Sequence, residues 1–139
     1  MKQVTTTLCI ETDGPGLTEF TGDVEPWIAA QGMDEGLLTL FVRHTSASLL
    51  IQENADPDVQ RDLQTFFENL APWDASLYRH TTEGDDDMPA HIRAALTQTS
   101  LSIPAVDARL ALGTWQGIYL FEHRAPRQVR EVVLHLMGN

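Results

Sequence analysis

The chain has 139 residues, 42% of them hydrophobic, with nine Lys and Arg against twenty Asp and Glu and a formal net charge of −11. One domain, 1–139, accounts for that length, and the apolar content is that of a packed globular chain rather than a disordered one. The acid excess disfavours nucleic acid and anionic membrane as partners, since both are polyanions, and the single cysteine, Cys9, excludes a disulfide framework and a multi-cysteine zinc site.

Val4 to Thr12, rich in Thr, Val and Ile, predicts a strand. Asp13-Gly14-Pro15-Gly16 marks a turn. Phe20, Val24, Trp27, Ile28 and Gln31 then recur at helical spacing. This predicts an amphipathic helix from Thr18 to Ala30 ended by Gly32, with Pro26 imposing a kink or a late start. Leu37 to His44 reads as a strand whose Leu38, Leu40 and Val42 share one face with His44.

Asp56-Pro57 is a helix start, a carboxylate cap followed by proline at the first helical position. Val59, Leu63, Phe66 and Leu70 predict one buried stripe along that helix, which ends near Pro72. A loop with a run of acids follows, and Asp87 is placed to cap a third helix carrying Pro89, Ile92, Ala95 and Leu96. From Ser100 the period returns to two, with strands expected over Ser100–Val106, Arg109–Leu112, Trp115–Arg124 and Gln128–Met137. This order is not a βαβ repeat. It predicts an α+β domain with largely antiparallel sheets and about three helices.

No stretch reaches the roughly 18–20 apolar residues of a membrane span. The first ten residues lack the apolar run of a secretory signal, so the expected location is the cytoplasm, with Cys9 reduced.

Chemistry-bearing residues gather in a few places. His44 ends an apolar strand face beside Thr45-Ser46-Ala47-Ser48, four small residues that let another group approach. His80 lies in a polar loop with Glu83, Asp85, Asp86 and Asp87, and His91 sits in the helix that this loop feeds. Imidazole is the commonest metal ligand, and carboxylates with water are the usual ligands of Mg²⁺. The same acids also serve to stabilise a helix N-terminus. Glu122-His123-Arg124 puts three ionisable groups at one strand end, whereas His135 alternates with Leu134 and Leu136 and reads as structural. Gly113-Thr114-Trp115-Gln116-Gly117 brackets an aromatic and an amide between glycines, as a ligand wall or a sheet corner. No loop has the P-loop or dinucleotide pattern.

Four segments, taken together and in register, resemble the YjbQ family, often labelled secondary thiamine-phosphate synthase. They are His44–Ser48, Glu53-Asn54-Ala55-Asp56-Pro57, Glu83 through Ile92, and Gly113–Ile118 with Glu122–Arg124. The resemblance implies a β-sandwich-like α+β fold, a homotrimer, and a polar pocket around the histidine and acidic motifs that can hold a metal. The label implies joining a pyrimidine diphosphate to a thiazole phosphate with release of pyrophosphate. The alternatives are a metal-dependent hydrolase or lyase, and a non-enzymatic trimeric protein binding a metal or small molecule. The expected site places His44, His80 and His91 on a divalent ion, Zn²⁺ or Mg²⁺. Glu83 and His123 are the expected catalytic groups, and Ser46, Asn54, Gln116 and Arg124 the expected contacts to a small-molecule substrate.

Overall fold

A computed structural model describes all residues, 1–139. Its frame is two antiparallel sheets. In the larger one β1 (Lys2–Asp13) lies along β8 (Arg127–Gly138) over its whole length, from Lys2 opposite Gly138 to Asp13 opposite Arg127. β8 is flanked on its other side by β3 (Glu35–Val42), then β5 (Ser100–Val106) and the short β6 (Arg109–Leu110). The smaller sheet centres β7 (Gln116–Glu122) between β2 (Gly16–Glu19) and β4 (Ala47–Glu53). The α+β, sandwich-like expectation holds.

The core lies where the inward faces meet. Leu38, Leu40 and Val42 of β3 and Val132, Leu134 and Leu136 of β8 pack with Leu49 of β4 and Ile118 and Leu120 of β7. The strict alternation along β3 and β8 is what permits this, because successive side chains leave a strand on opposite faces. His135 points away from the core as expected, towards Gln3 on β1. Helix α1 (Thr21–Ala29) closes the same core with Val24 and Ile28. No helix is long and apolar enough to cross a membrane.

Three local expectations are corrected. The first helix does not begin at Thr18: Leu17 to Glu19 form β2, and Phe20 N–H still donates to the Ile118 carbonyl at 2.9 Å. Pairing with β7 satisfies these backbone groups and overrides the helical spacing of Phe20 and Val24. The small residues Ala47 and Ser48, expected to let another group approach, are instead the buried start of β4. Helix α2 (Pro57–Leu70) starts as expected, with the Asp56 carboxylate accepting from Asp58 N–H at 2.9 Å, yet it buries no residue fully. Phe66 and Leu70 are 58% and 52% exposed. The helix sits at the edge against the four-residue β2, which is too short to cover its apolar stripe.

Helix α3 (Asp87–Leu96) turns Pro89, Ala90, Arg93 and Ala94 inward and leaves Leu96 exposed. A buried ion pair ties the two sheets together near this helix. Arg130 of β8 donates from Nε to Glu122 Oε1 at 2.7 Å, Thr12 of β1 donates to the same carboxylate, and Arg130 Nη2 also reaches Ser46 Oγ at 3.0 Å. Burial opposes ionisation of Glu122, but the Arg130 and Thr12 hydrogen bonds outweigh it and hold the carboxyl below its ordinary range.

Candidate metal centre

The loop after a short 3-10 turn (Ala75–Leu77) and the first turns of α3 bring four side chains together. One ligand atom each from His80, Glu83, Asp87 and His91 lies within 4.8 Å of the other three. Asp87 and His91 are four residues apart on a helix and share a face. The loop reaches them because Gly84, at φ +108°, turns where a side chain would be strained; a Cβ there would also stand 2.8 Å from Asp86 Oδ1.

The contacts set acceptor-bearing side chains against one another. His91 Nδ1 lies 2.9 Å from the Thr45 carbonyl oxygen. That oxygen can only accept, so Nδ1 carries the hydrogen, and Nε2 is the free lone pair of the neutral ring. Yet this Nε2 faces Asp87 Oδ2 at 3.0 Å, and His80 Nε2 faces the same oxygen at 2.7 Å and Glu83 Oε2 at 2.9 Å. Between His91 Nε2 and Asp87 Oδ2 a proton or a metal ion must therefore lie, whereas His80 meets the same oxygen either as an N–H donor or across such an ion. The Asp87 hydrogen bond raises the His80 pKa above its ordinary value. Asp87 is almost wholly buried, which opposes ionisation, but His80, His91 and Arg124 hold its carboxyl below the usual range.

Arg124 braces the carboxylates rather than lying free. Its Nη1 donates to Asp87 Oδ1 at 2.8 Å, its Nε to Asp86 Oδ2 at 2.8 Å, and its Nη2 to the Glu83 carbonyl at 3.0 Å. The Arg124 backbone N–H is itself held by Glu122 Oε2. The sheet-to-sheet ion pair thus fixes the arginine that fixes Asp87. Outer groups of this kind, with the Thr45 carbonyl on His91, orient metal ligands in known centres.

A family profile described as UPF0047 protein YjbQ-like matches residues 6–139. The chain belongs to that family. The UPF0047 protein sll1880 of Synechocystis sp. is 56% identical over 131 residues, which cover 94% of this chain and 89% of the relative. The UPF0047 protein YjbQ of Escherichia coli O157:H7 is 47% identical over 103 residues, 74% of each chain. A crystal structure of the conserved hypothetical protein TT1486 from Thermus thermophilus superposes with a TM-score of 0.84 at 37% identity, covering 95% of this chain and 99% of that one. The family fixes the fold; it names no reaction.

Within this YjbQ-like frame the expected site residues separate. His80, His91 and Glu83 come together. His44 does not join them: its Nε2 accepts the Glu131 N–H at 2.8 Å, so that lone pair is already used. Burial, helped by the Arg130 charge, lowers its pKa and keeps the ring neutral. His123 is fully buried, with Nε2 2.9 Å from Ser48 Oγ, and no substrate can reach it. Ser46 is buried against Arg130.

Asn54 and Gln116 lie at the far end of the β4–β7 ladder, where Glu53 pairs with Gln116, whereas Ala47 pairs with Glu122 at the near end. That is about 20 Å of strand at roughly 3.4 Å per residue, too far to share a small ligand with the centre. Gln116 Oε1 instead accepts the Gly113 N–H, and Asn54 Nδ2 donates to Glu19. Asp87, expected as a helix cap or part of the acid run, is the fourth member of this cluster. The signal was its i, i+4 spacing to His91.

Proposed function

We propose that this chain is a divalent-metal-dependent enzyme of hydrolase or lyase type, centred on His80, Glu83, Asp87 and His91. The observation that carries the reading is His91, whose Nδ1 is committed to the Thr45 carbonyl while its Nε2 lone pair faces a buried carboxylate oxygen. Two imidazoles and two carboxylates suit Zn²⁺ or a similar transition ion better than Mg²⁺, which prefers an all-oxygen shell. They would also balance a dication's charge. Bonds of about 2.0–2.2 Å need only small side-chain shifts from the hydrogen-bonded arrangement. Such an ion supplies Lewis acidity towards water or a substrate oxygen.

The chain's own groups divide the remaining work. Asp87, buried and braced by Arg124, is the fixed ligand. Glu83 is the exposed one: its side chain is 62% exposed, and Oε2 can accept a proton from a group bound on the solvent side. The shallow, solvent-facing position of His80 and Glu83 leaves room for a small-molecule substrate.

Thiamine-phosphate synthase chemistry is the second reading, and it draws on the family resemblance. Releasing pyrophosphate calls for cationic contacts beside the metal, and Arg124 has all three guanidinium nitrogens engaged with Asp86, Asp87 and Glu83. Homotrimeric assembly is also proposed, supported by the uncovered apolar side chains Phe66, Leu70 and Leu77.

Metal analysis of protein purified without a histidine tag tests the primary reading. About one equivalent of a transition metal per chain is expected, lost in His91→Ala and Asp87→Asn and retained in His44→Ala. Wild-type protein that neither retains nor takes up Zn²⁺ refutes it. Incubating the metal-loaded protein with a pyrimidine diphosphate and a thiazole phosphate, and measuring pyrophosphate, tests the second.

A further inference from the structure

Arg93 is 1% exposed, one of the largest fully buried side chains in the molecule. Its Nη2 donates to the Ala71 carbonyl at 2.9 Å, but its Nε has no hydrogen-bond partner in the protein. No carboxylate approaches within 4 Å, since every ion pair of the chain involves other residues. Buried charges are as a rule paired, because desolvating an unpaired one is costly. The other buried arginine, Arg130, follows the rule with Glu122.

Arg93 does not end in solid core. It lines a cleft of about 410 Å³ with Pro15, Gln64, Glu68, Pro72 and Trp73, a size within the usual range of roughly 300–1,000 Å³ for small-molecule sites. A second polar atom of the cleft residues is also buried without a partner: the Gln64 side-chain oxygen, Oε1. Glu68, the carboxylate among the lining residues, is exposed and accepts from Gln64 Nε2 at 3.2 Å rather than from Arg93. The unpaired Arg93 Nε donor and Gln64 Oε1 acceptor are both closed to solvent behind this cleft, whose walls are the half-exposed Trp73 ring and two prolines.

We propose that this cleft binds a small organic oxyanion, a carboxylate or phosphate, that also carries an O–H or N–H group and a flat apolar body. When the Gln64 side chain turns from Glu68 towards the cleft, the anionic group pairs with Arg93, its donor reaches Gln64 Oε1, and its body lies against Trp73. The site is separate from the metal centre. Arg93 follows His91 by two residues, about 200° around the helix, so the two occupy opposite sides of α3. Its test is therefore independent of the metal reading.

The experiment is an NMR titration of the full-length protein in EDTA, following the Trp73 indole N–H. The probes are 4-hydroxybenzoate and phenyl phosphate, with uncharged 4-hydroxybenzyl alcohol as the control. Saturable shifts with one or both anions at millimolar concentrations, absent with the alcohol, are expected; which anion binds more tightly identifies the preferred oxyacid. Arg93→Met should weaken that binding at least about tenfold. Gln64→Leu, at a half-buried position outside the core, should weaken 4-hydroxybenzoate and spare phenyl phosphate, and it keeps the test alive if Arg93→Met does not fold. No saturable response in the wild type, equal response to the alcohol, or anion binding unchanged in the variants would overturn the proposal. The last two outcomes leave an apolar cleft in which water serves the unpaired groups.

Discussion

His123 offers a quantitative test of how the two sheets are packed. Its ring is fully buried, 4.4 Å from the Phe121 ring, and Ser48 is its one hydrogen-bonding partner; Nδ1 has none. Burial, with the Arg93 and Arg130 charges adding to it, lowers its pKa to about 3. In the unfolded chain the ring titrates near its ordinary value of about 6.5. The sign follows from linkage: between these values the unfolded state binds a proton that the folded state refuses. Stability is therefore intact above about pH 6.5 and falls by roughly 1.4 kcal/mol per pH unit below it, down to the folded value.

From about pH 7 to pH 5 this one ring removes about 2 kcal/mol. The buried carboxylates contribute little in that window, because their unfolded values lie near 4. His123→Gln keeps a polar partner for Ser48 and removes the titration. Urea unfolding of both proteins at pH 7 and pH 5, in EDTA and at one protein concentration, measures the difference. The wild type should lose about 2 kcal/mol more than the variant over this interval. Equal losses would refute the claim that the fold holds this histidine neutral.

The other expectations are briefer. Glu122→Ala leaves Arg130, 4% exposed, as an uncompensated buried charge and should cost about 3–5 kcal/mol by denaturant unfolding; a loss below 1 kcal/mol, the scale of a surface pair, would mean the pair is not a clamp. Because the folded Glu122 pKa is depressed, its stabilisation is present above about pH 4 and disappears as pH falls through the folded value, so acid sensitivity below pH 4 should diminish in that variant. Asp56→Ala should cost about 0.5–2 kcal/mol through the lost Asp58 cap while leaving metal content unchanged, read from a melting curve and metal analysis on the same sample. Metal affinity should fall on acidification, beginning above pH 6.5 because the His80 pKa is raised; a calorimetric titration that is flat from pH 8 to pH 6 contradicts its role as a ligand.

The sequence by itself determined those features whose causes are local. Alternation places Leu38, Leu40 and Val42 on one face of β3, and the Asp56-Pro57 pair opens α2 where a cap and a preset φ coincide. The motifs around His80, Glu83 and His91 were legible because they lie within twelve residues of one another, bridged by a loop and one helix turn.

Only the tertiary structure decided what depends on partners distant in the chain. His44 has the composition of a ligand, and it is the Glu131 N–H, 87 positions away, that takes its lone pair. The segment from Leu17 to Glu19 is a strand because β7 lies beside it, not because of its own spacing. The α2 stripe is amphipathic in sequence and uncovered in the fold, because hydrophobic periodicity specifies a face but not the surface that meets it. Arg93 carries no sequence signal at all: its charge becomes significant only once α3 is packed inward and no carboxylate follows it there.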